Sequence, residues 1–235
     1  MKIGFFTDTH YCQIDYLGDT RRPSLSYEKI KVAMSAFEKE GVDLVFCLGD
    51  LTDKREDDTR ESCLENLEKI SNLINSYKTP FYLILGNHDH LLLNQSDYKA
   101  KFDKIAPYVF EKDDITFIML DANYRSSMKS FDEEGEVWYD ANVPPQQMEL
   151  LRKALKECKQ AVILIHECLD PTIDSNHIVR NAGEVRQIIR EAGNVKMVIQ
   201  GHFHPGGKSI IDDIPYIIIP AMCEREEIPY KIMEI

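Results

Sequence analysis

Five of the seven histidines in this 235-residue chain stand at the ends of apolar runs. His10 closes "IGFFTDTH", His88 follows "PFYLILGN", His166 closes "AVILIH", and His202 and His204 end "VKMVIQGHFH". Other donors occupy matching places: Asp8 two residues before His10, Asp50 at the end of "VDLVFCLGD", and Asn87 beside His88. Residues two apart in an extended segment point to one face, so Asp8 can act with His10, and His202 with His204. Gly49 and Gly86 let the backbone turn sharply before Asp50 and Asn87. Carboxylate, amide oxygen and imidazole together suit Mn, Fe or Zn. These donors are too many for one tetrahedral ion; they fit two ions about 3.5–4 Å apart with a bridging carboxylate. Taken singly, D-x-H, H-x-H and GNHD each occur in ordinary turns. Their ordered conjunction at the ends of apolar runs is a different matter.

The elements that must position these residues are legible in the same pattern. The runs above, with "ITFIMLDAN", are nearly continuous in apolar residues, as strands buried on both faces are. Helical spacing links Tyr27, Ile30, Met34 and Phe37, then Leu64, Leu67, Ile70, Leu73 and Ile74, then Met148, Leu151 and Leu155 after Pro144 and Pro145, then Val185, Ile188 and Ile189. Strands alternating with helices predict a layered α/β domain, whose ligands gather where the strands end. "SIIDDIPYIIIP" and "YKIMEI" predict an antiparallel C-terminal portion. Residues 11–24 and 122–143 lack a regular pattern, and loops of this length are often functional.

Composition bounds the function. A single domain over residues 1–235 is expected. The formal net charge of -12 argues against a nucleic-acid-coating surface. No apolar run approaches the roughly 20 residues of a membrane span, so no membrane association is expected. Six scattered cysteines without a signal-peptide core point to a reducing, cytoplasmic setting. Oligomeric state is not legible.

D-x-H, GD, GNHD, a lone His and GHxH, in that order, resemble the signature of the calcineurin-like metallophosphoesterases. They stand here as "TDTH", "GDLTD", "GNHD", "LIHE" and "GHFH", from residue 7 to 204. The resemblance implies the four-layer α/β/β/α sandwich with mixed sheets. It implies one ion held by Asp8, His10, Asp50 and His204, and a second held by Asp50, Asn87, His166 and His202. It also implies that His88 is a proton donor to the leaving group and that Asp53 pairs with it. A hydroxide generated at the two ions would attack phosphorus. One departure is Lys54, where the family's protein phosphatases carry an arginine; lysine offers a point charge and no planar fork. Arg125 and Arg180 are then candidates for holding phosphate.

"NHIVRNAGEVRQIIREAGNVKMVIQGHFHPGG" further resembles the C-terminal part of the manganese-dependent ADP-ribose/CDP-alcohol diphosphatases. That resemblance favours Mn and implies a phosphodiester or pyrophosphate of a small nucleotide-type substrate. Tyr124, Phe131, Trp138 and Tyr139 in the long loop could stack a base, and His177 and Asn181 could contact substrate. The alternatives are a small-molecule or phosphoprotein phosphomonoesterase, and a non-catalytic interaction module on the same fold. Intact ligands together with His88 argue against the latter.

Overall fold

A computed structural model of the chain describes every residue except Asp19. One sheet holds β1 (Lys2–Phe6), β2 (Leu44–Cys47), β3 (Phe81–Leu83) and β10 (Lys231–Glu234), in the order β10-β1-β2-β3. The other holds β4 (Tyr108–Lys112), β5 (Ile115–Met119), β6 (Ala161–Ile165), β7 (Val195–Gln200), β8 (Gly207–Ile211) and β9 (Ile214–Ile218), in the order β4-β5-β6-β7-β9-β8. The six apolar runs supply β1, β2, β3, β5, β6 and β7, and these pair in parallel within their sheets.

Alternating side chains explain why both faces of each sheet are apolar. From the first sheet, Ile3, Phe5, Leu44, Phe46 and Tyr82 face Phe117, Met119, Val162, Leu164 and Ile199 of the second. Phe46 and Phe117 stack at 5.6 Å across this seam. Phe6, Val45 and Leu83 point the other way, onto α1 (Ser26–Lys39) and α2 (Arg60–Asn75). After the short α3 (Gln95–Lys99) and α4 (Phe131–Glu134), the helices α5 (Pro145–Glu157) and α6 (Ala182–Ala192) cover Ile118, Ile163, Ile165 and Val198. The result is the expected α/β/β/α sandwich. Gly193 ends α6 at φ 68°, a left-handed conformation that costs glycine little. No helix among the described residues is long and apolar enough to cross a membrane.

The antiparallel portion divides between the sheets. β8 and β9 form a hairpin across Asp212 and Asp213 (φ 51° and 64°), and β4 and β5 form another across Asp113 and Asp114 (φ 50° and 62°). Two consecutive left-handed residues are what a tight two-residue hairpin turn requires, and aspartate tolerates them. β10 instead joins the first sheet, antiparallel to β1. The chain between β9 and β10 therefore crosses from one sheet to the other, past α1. Lys29 of α1 is buried there, and its Nζ donates to the carbonyls of Arg225 (2.7 Å), Met222 (2.8 Å) and Glu224 (3.3 Å). Lys29→Met should cost about 1–3 kcal/mol, because the buried Met222 carbonyl and two partly buried ones lose their donor. Equilibrium urea unfolding checks this; a midpoint equal to that of the wild type would show that the crossing segment does not depend on Lys29.

Candidate metal centre

The parallel strands of both sheets end at one edge, and the polar residues that follow them converge there. Asp8, His10, Asp50 and His202 all have positive φ (51°, 46°, 50° and 64°). Such non-glycine conformations cost on the order of 1–3 kcal/mol each and persist where surroundings over-determine them. The surroundings here do so. Asp8 N–H donates to the Gly49 carbonyl and His10 N–H to the Asp50 carbonyl, both at 2.9 Å. Asp8 Oδ2 accepts from Thr7 Oγ1 (2.6 Å) and His202 N–H (3.1 Å). A Cβ on Gly86 would collide with Asp50 Oδ1, the Asp50 amide and His166 Nε2, so the strand end can approach only as glycine. Asp89 braces the same turn, accepting from Gly86 N–H and Thr52 N–H at 2.9 Å and Leu51 N–H at 3.2 Å.

Two clusters share Asp50. In the first, His10 Nε2 lies 3.2 Å from His204 Nε2, 3.4 Å from Asp50 Oδ2 and 3.9 Å from Asp8 Oδ1. In the second, Asp50 Oδ2 lies 3.4 Å from His166 Nε2, and donor atoms of Asp50, His166 and His202 fall within 4.8 Å of one another. Asn87 lines the same cleft as Asp50 and His202. Three of the rings are oriented from behind. His10 Nδ1 meets Asp53 Oδ2 at 2.9 Å, His204 Nδ1 meets Glu224 Oε1 at 2.6 Å, and His166 Nδ1 donates to the Leu48 carbonyl at 2.7 Å. That leaves the Nε2 atoms turned inward. Asn87 Nδ2 donates to Glu136 Oε1 at 3.2 Å; a carboxylate only accepts, so the amide oxygen must face the cluster.

Asp8 Oδ1, Asn87 Oδ1, His166 Nε2 and His202 Nε2 are buried without a hydrogen-bond partner among the described residues. Buried polar atoms are rarely left so, and these are ligand-type atoms aimed at common points. The donor set fits two divalent cations. Burial, reinforced by the charge on His88, lowers the pKa of His10 to about 4, so this ring is neutral and able to donate a lone pair. Burial also holds His202 well below the ordinary value. Burial works against ionised Asp50, but His166, His88 and His10 outweigh it and keep the carboxyl well below the usual range. Cys223 also falls within ligand distance of His10 and His204, but its Sγ lies 3.9 Å from His204 Nδ1, the back of the ring, and burial pushes the thiol pKa up.

The calcineurin-like phosphoesterase family profile matches residues 1–206. The chain is a calcineurin-like phosphoesterase. As such it is a metal-dependent phosphoester hydrolase of a family that uses a dinuclear divalent centre. No curated protein sequence is a significant match. Among solved structures the phosphoesterase is similar to a dimetal phosphatase from Danio rerio, with TM-score 0.82 and 18% identity over 95% of this chain and 88% of that one. It also resembles the anchor in the inner membrane complex of Plasmodium (TM-score 0.58, 14% identity, 99% and 80% of the two chains). A third is the phosphopantetheinyl hydrolase of Mycobacterium tuberculosis (TM-score 0.55, 11% identity, 94% and 89%). At these identities the likeness is one of fold.

The phosphoesterase opens to solvent through a cleft of about 620 Å³ over the two clusters. Asp50, Asn87, His88, His202 and His204 line it, with Trp138, His177, Phe203, Pro205 and Arg21. His88 Nδ1 is 3.0 Å from Asp53 Oδ2, an ion pair set off the line of a directed hydrogen bond. Burial disfavours the charged ring, but Asp50 and Asp53 outweigh it and raise the His88 pKa to about 9. Asp53 caps no helix, since α2 begins at Arg60 with Thr59 as its cap. Trp138 sits 5.4 Å from His177 and 6.3 Å from His202, ring to ring. Lys54, Tyr124, Arg125 and Arg180 do not line the cleft. Arg125 is turned to Asp140, with Nε 3.0 Å from its carboxylate.

Three residues at the site have no obvious sequence signal. Arg21 and Glu136 lie in the patternless loops. Glu224 sits in "CEREE", which reads as a surface charge cluster, although it does follow the apolar run "YIIIPAM".

Proposed function

We propose that this phosphoesterase hydrolyses a phosphodiester or pyrophosphate of a small nucleotide-type substrate at a two-metal centre. One ion would be held by Asp8, His10, Asp50 and His204, the other by Asp50, Asn87, His166 and His202. Two such cations supply water that ionises near neutral pH and neutralise charge on phosphoryl oxygens. The chain's own residues do the rest. Asp50 Oδ2, equidistant at 3.4 Å from the inward nitrogens of His10 and His166, is placed to be the shared ligand. His88 gives a proton to the departing oxygen. Asp53 keeps that proton on the ring, since cations beside Asp50 would blunt that carboxylate's hold while Asp53 pairs with Nδ1 directly. Mn is favoured among Mn, Fe and Zn on the donor set and the local likeness to manganese-dependent diphosphatases. The protein is read as a single cytoplasmic domain.

The observation that carries the substrate class is the far wall of the cleft. Trp138, 38% exposed, together with His177 and Phe203 gives aromatic surface beside His202, with the rings tilted or edge-on to one another. A phosphomonoester of a small alcohol would leave that wall unused; a diester or anhydride bearing a base can cover it. A panel with added Mn tests this: bis(p-nitrophenyl) phosphate, p-nitrophenyl phosphate, cyclic nucleotides, ADP-ribose and CDP-alcohols. Diesters or pyrophosphates should turn over fastest. Turnover of the monoester alone would overturn the reading.

A further inference from the structure

Arg21 is the one lysine or arginine among the described residues that line the cleft. Its place along the cleft is set by a shared atom. Arg21 Nη1 is 3.9 Å from Asp53 Oδ2, the same oxygen that lies 3.0 Å from His88 Nδ1. The guanidinium therefore stands beside His88, whereas Trp138 and His177 lie against His202 of the second cluster. At 3.9 Å the contact with Asp53 is too long for a hydrogen bond. The planar fork of donors is thus not consumed by that carboxylate.

The backbone that presents it is held. The Arg21 carbonyl accepts from Leu17 N–H at 3.2 Å, and on either side Arg22 N–H donates to the Cys223 carbonyl (2.8 Å) and Arg225 N–H to the Thr20 carbonyl (2.9 Å). Thr20 to Arg22 is thus tied to the segment whose Glu224 orients His204. A cation on a fixed backbone, half-buried, beside the proposed proton donor, is placed for an anion that arrives with the substrate. The leaving oxygen departs next to His88. A charge next to His88 is consequently a charge next to the leaving group.

We propose that Arg21 binds a second phosphoryl group on the leaving-group side of the scissile phosphorus, and so selects phosphoric anhydrides over esters with an uncharged leaving group. The inference rests on the phosphodiester-or-pyrophosphate reading above and chooses between its two halves. In the reaction, the water oxygen bonds to the attacked phosphorus as its proton passes to solvent, from which His88 is later reprotonated, and the bond from that phosphorus to the bridging oxygen breaks. The bridging oxygen leaves with the electron pair on the second phosphate, which takes the proton of His88. Arg21 neutralises that second phosphate before, during and after the cleavage. The effect is therefore expected in KM as well as in kcat.

The test uses the full-length Mn-loaded protein and its R21Q and R21K variants. The ratio of kcat/KM on ADP-ribose to kcat/KM on bis(p-nitrophenyl) phosphate should fall about 10–100-fold in R21Q, the loss expected for a charged hydrogen-bonding partner. R21K should recover part of it, because charge returns without the fork. A ratio unchanged in R21Q, whether both substrates fall together or neither falls, would overturn the proposal. A second arm is independent of anhydride turnover: α,β-methylene-ADP and AMP as competitive inhibitors of bis(p-nitrophenyl) phosphate hydrolysis. Wild type should bind the diphosphate analogue more tightly than AMP, and R21Q should lose that preference. A wild type that fails to cleave ADP-ribose yet shows this preference would count against the pyrophosphate reading and leave Arg21 as a phosphate-binding residue. Equal inhibition of wild type and R21Q by the analogue would reject Arg21.

Discussion

His88→Ala should lower turnover by about 10²–10⁴-fold, the usual worth of a positioned general acid, while the protein retains its full complement of metal. Both halves follow from geometry. The ring's Nδ1 faces Asp53 at 3.0 Å, and it is the backbone N–H of His88, not the ring, that reaches Asp50 Oδ1 at 2.8 Å. Alanine keeps that backbone donor. The loss should shrink for a substrate whose leaving group is a weak base, since such an oxygen departs with little need of a proton. A nitrophenyl ester should therefore lose less than an alkyl ester of the same acid. Metal analysis by plasma emission, run beside the kinetics, decides the role. Coincident loss of metal and activity would make His88 a ligand.

Asp50→Asn should be more damaging and in a different way. Asp50 Oδ2 faces both His10 Nε2 and His166 Nε2, and Oδ1 accepts from His88 N–H. An amide of the same shape removes the shared negative charge. It must also either turn an NH₂ group, which has no lone pair to give a cation, toward the ion site, or point it at the His88 backbone N–H. Metal content should fall from two ions to one or fewer, and activity by about 10³-fold or more. The pH signature belongs to Asp53. It pairs with His88 Nδ1 at 3.0 Å and raises that ring's pKa, so Asp53→Asn lowers it. The His88 proton is then lost at lower pH, and the alkaline limb of the pH–rate profile should move to more acid values. An alkaline limb that stays in place would mean that a group other than His88 sets it.

Much of this centre is legible in the sequence, and the reason is local. A parallel strand buried on both faces must be an apolar run, and its C-terminal end must turn. "TDTH", "LGD", "LGNHD" and "GHFH" show the run, the turn and the donor within a few residues. Asp53 is legible for the same reason as a partner of His88, whereas its contact with His10 at 2.9 Å is not. Glu136 and Glu224, which fix Asn87 and His204, carry no such mark, because a carboxylate that orients a ring can come from any loop that reaches it. Arg21 is hidden similarly, whereas Arg125 and Lys54 drew attention by their neighbours and lie off the cleft. The partition of strands also escaped the pattern. Periodicity shows that "ITFIML" and "DLVFCL" are buried, but not that one sheet ends and another begins between them. Nor does it show that "YKIME" returns to pair with β1.

The two sheets meet at an aromatic and aliphatic seam in which Phe46 stacks on Phe117, and their strand ends carry different halves of one donor set. Asp8, His10, Asp50 and Asn87 belong to the first sheet's side; His166, His202 and His204 belong to the second's. In the proposed two-ion site, the spacing between the two slabs would also be the bite of the chelate. Packing in the seam acts as a gauge block, because any thickening or tilt there is passed to the site as a change in how far apart the opposing donors stand. On that proposal, residues that never see substrate would set the fit of the ions, and the interior would be a part of the coordination chemistry.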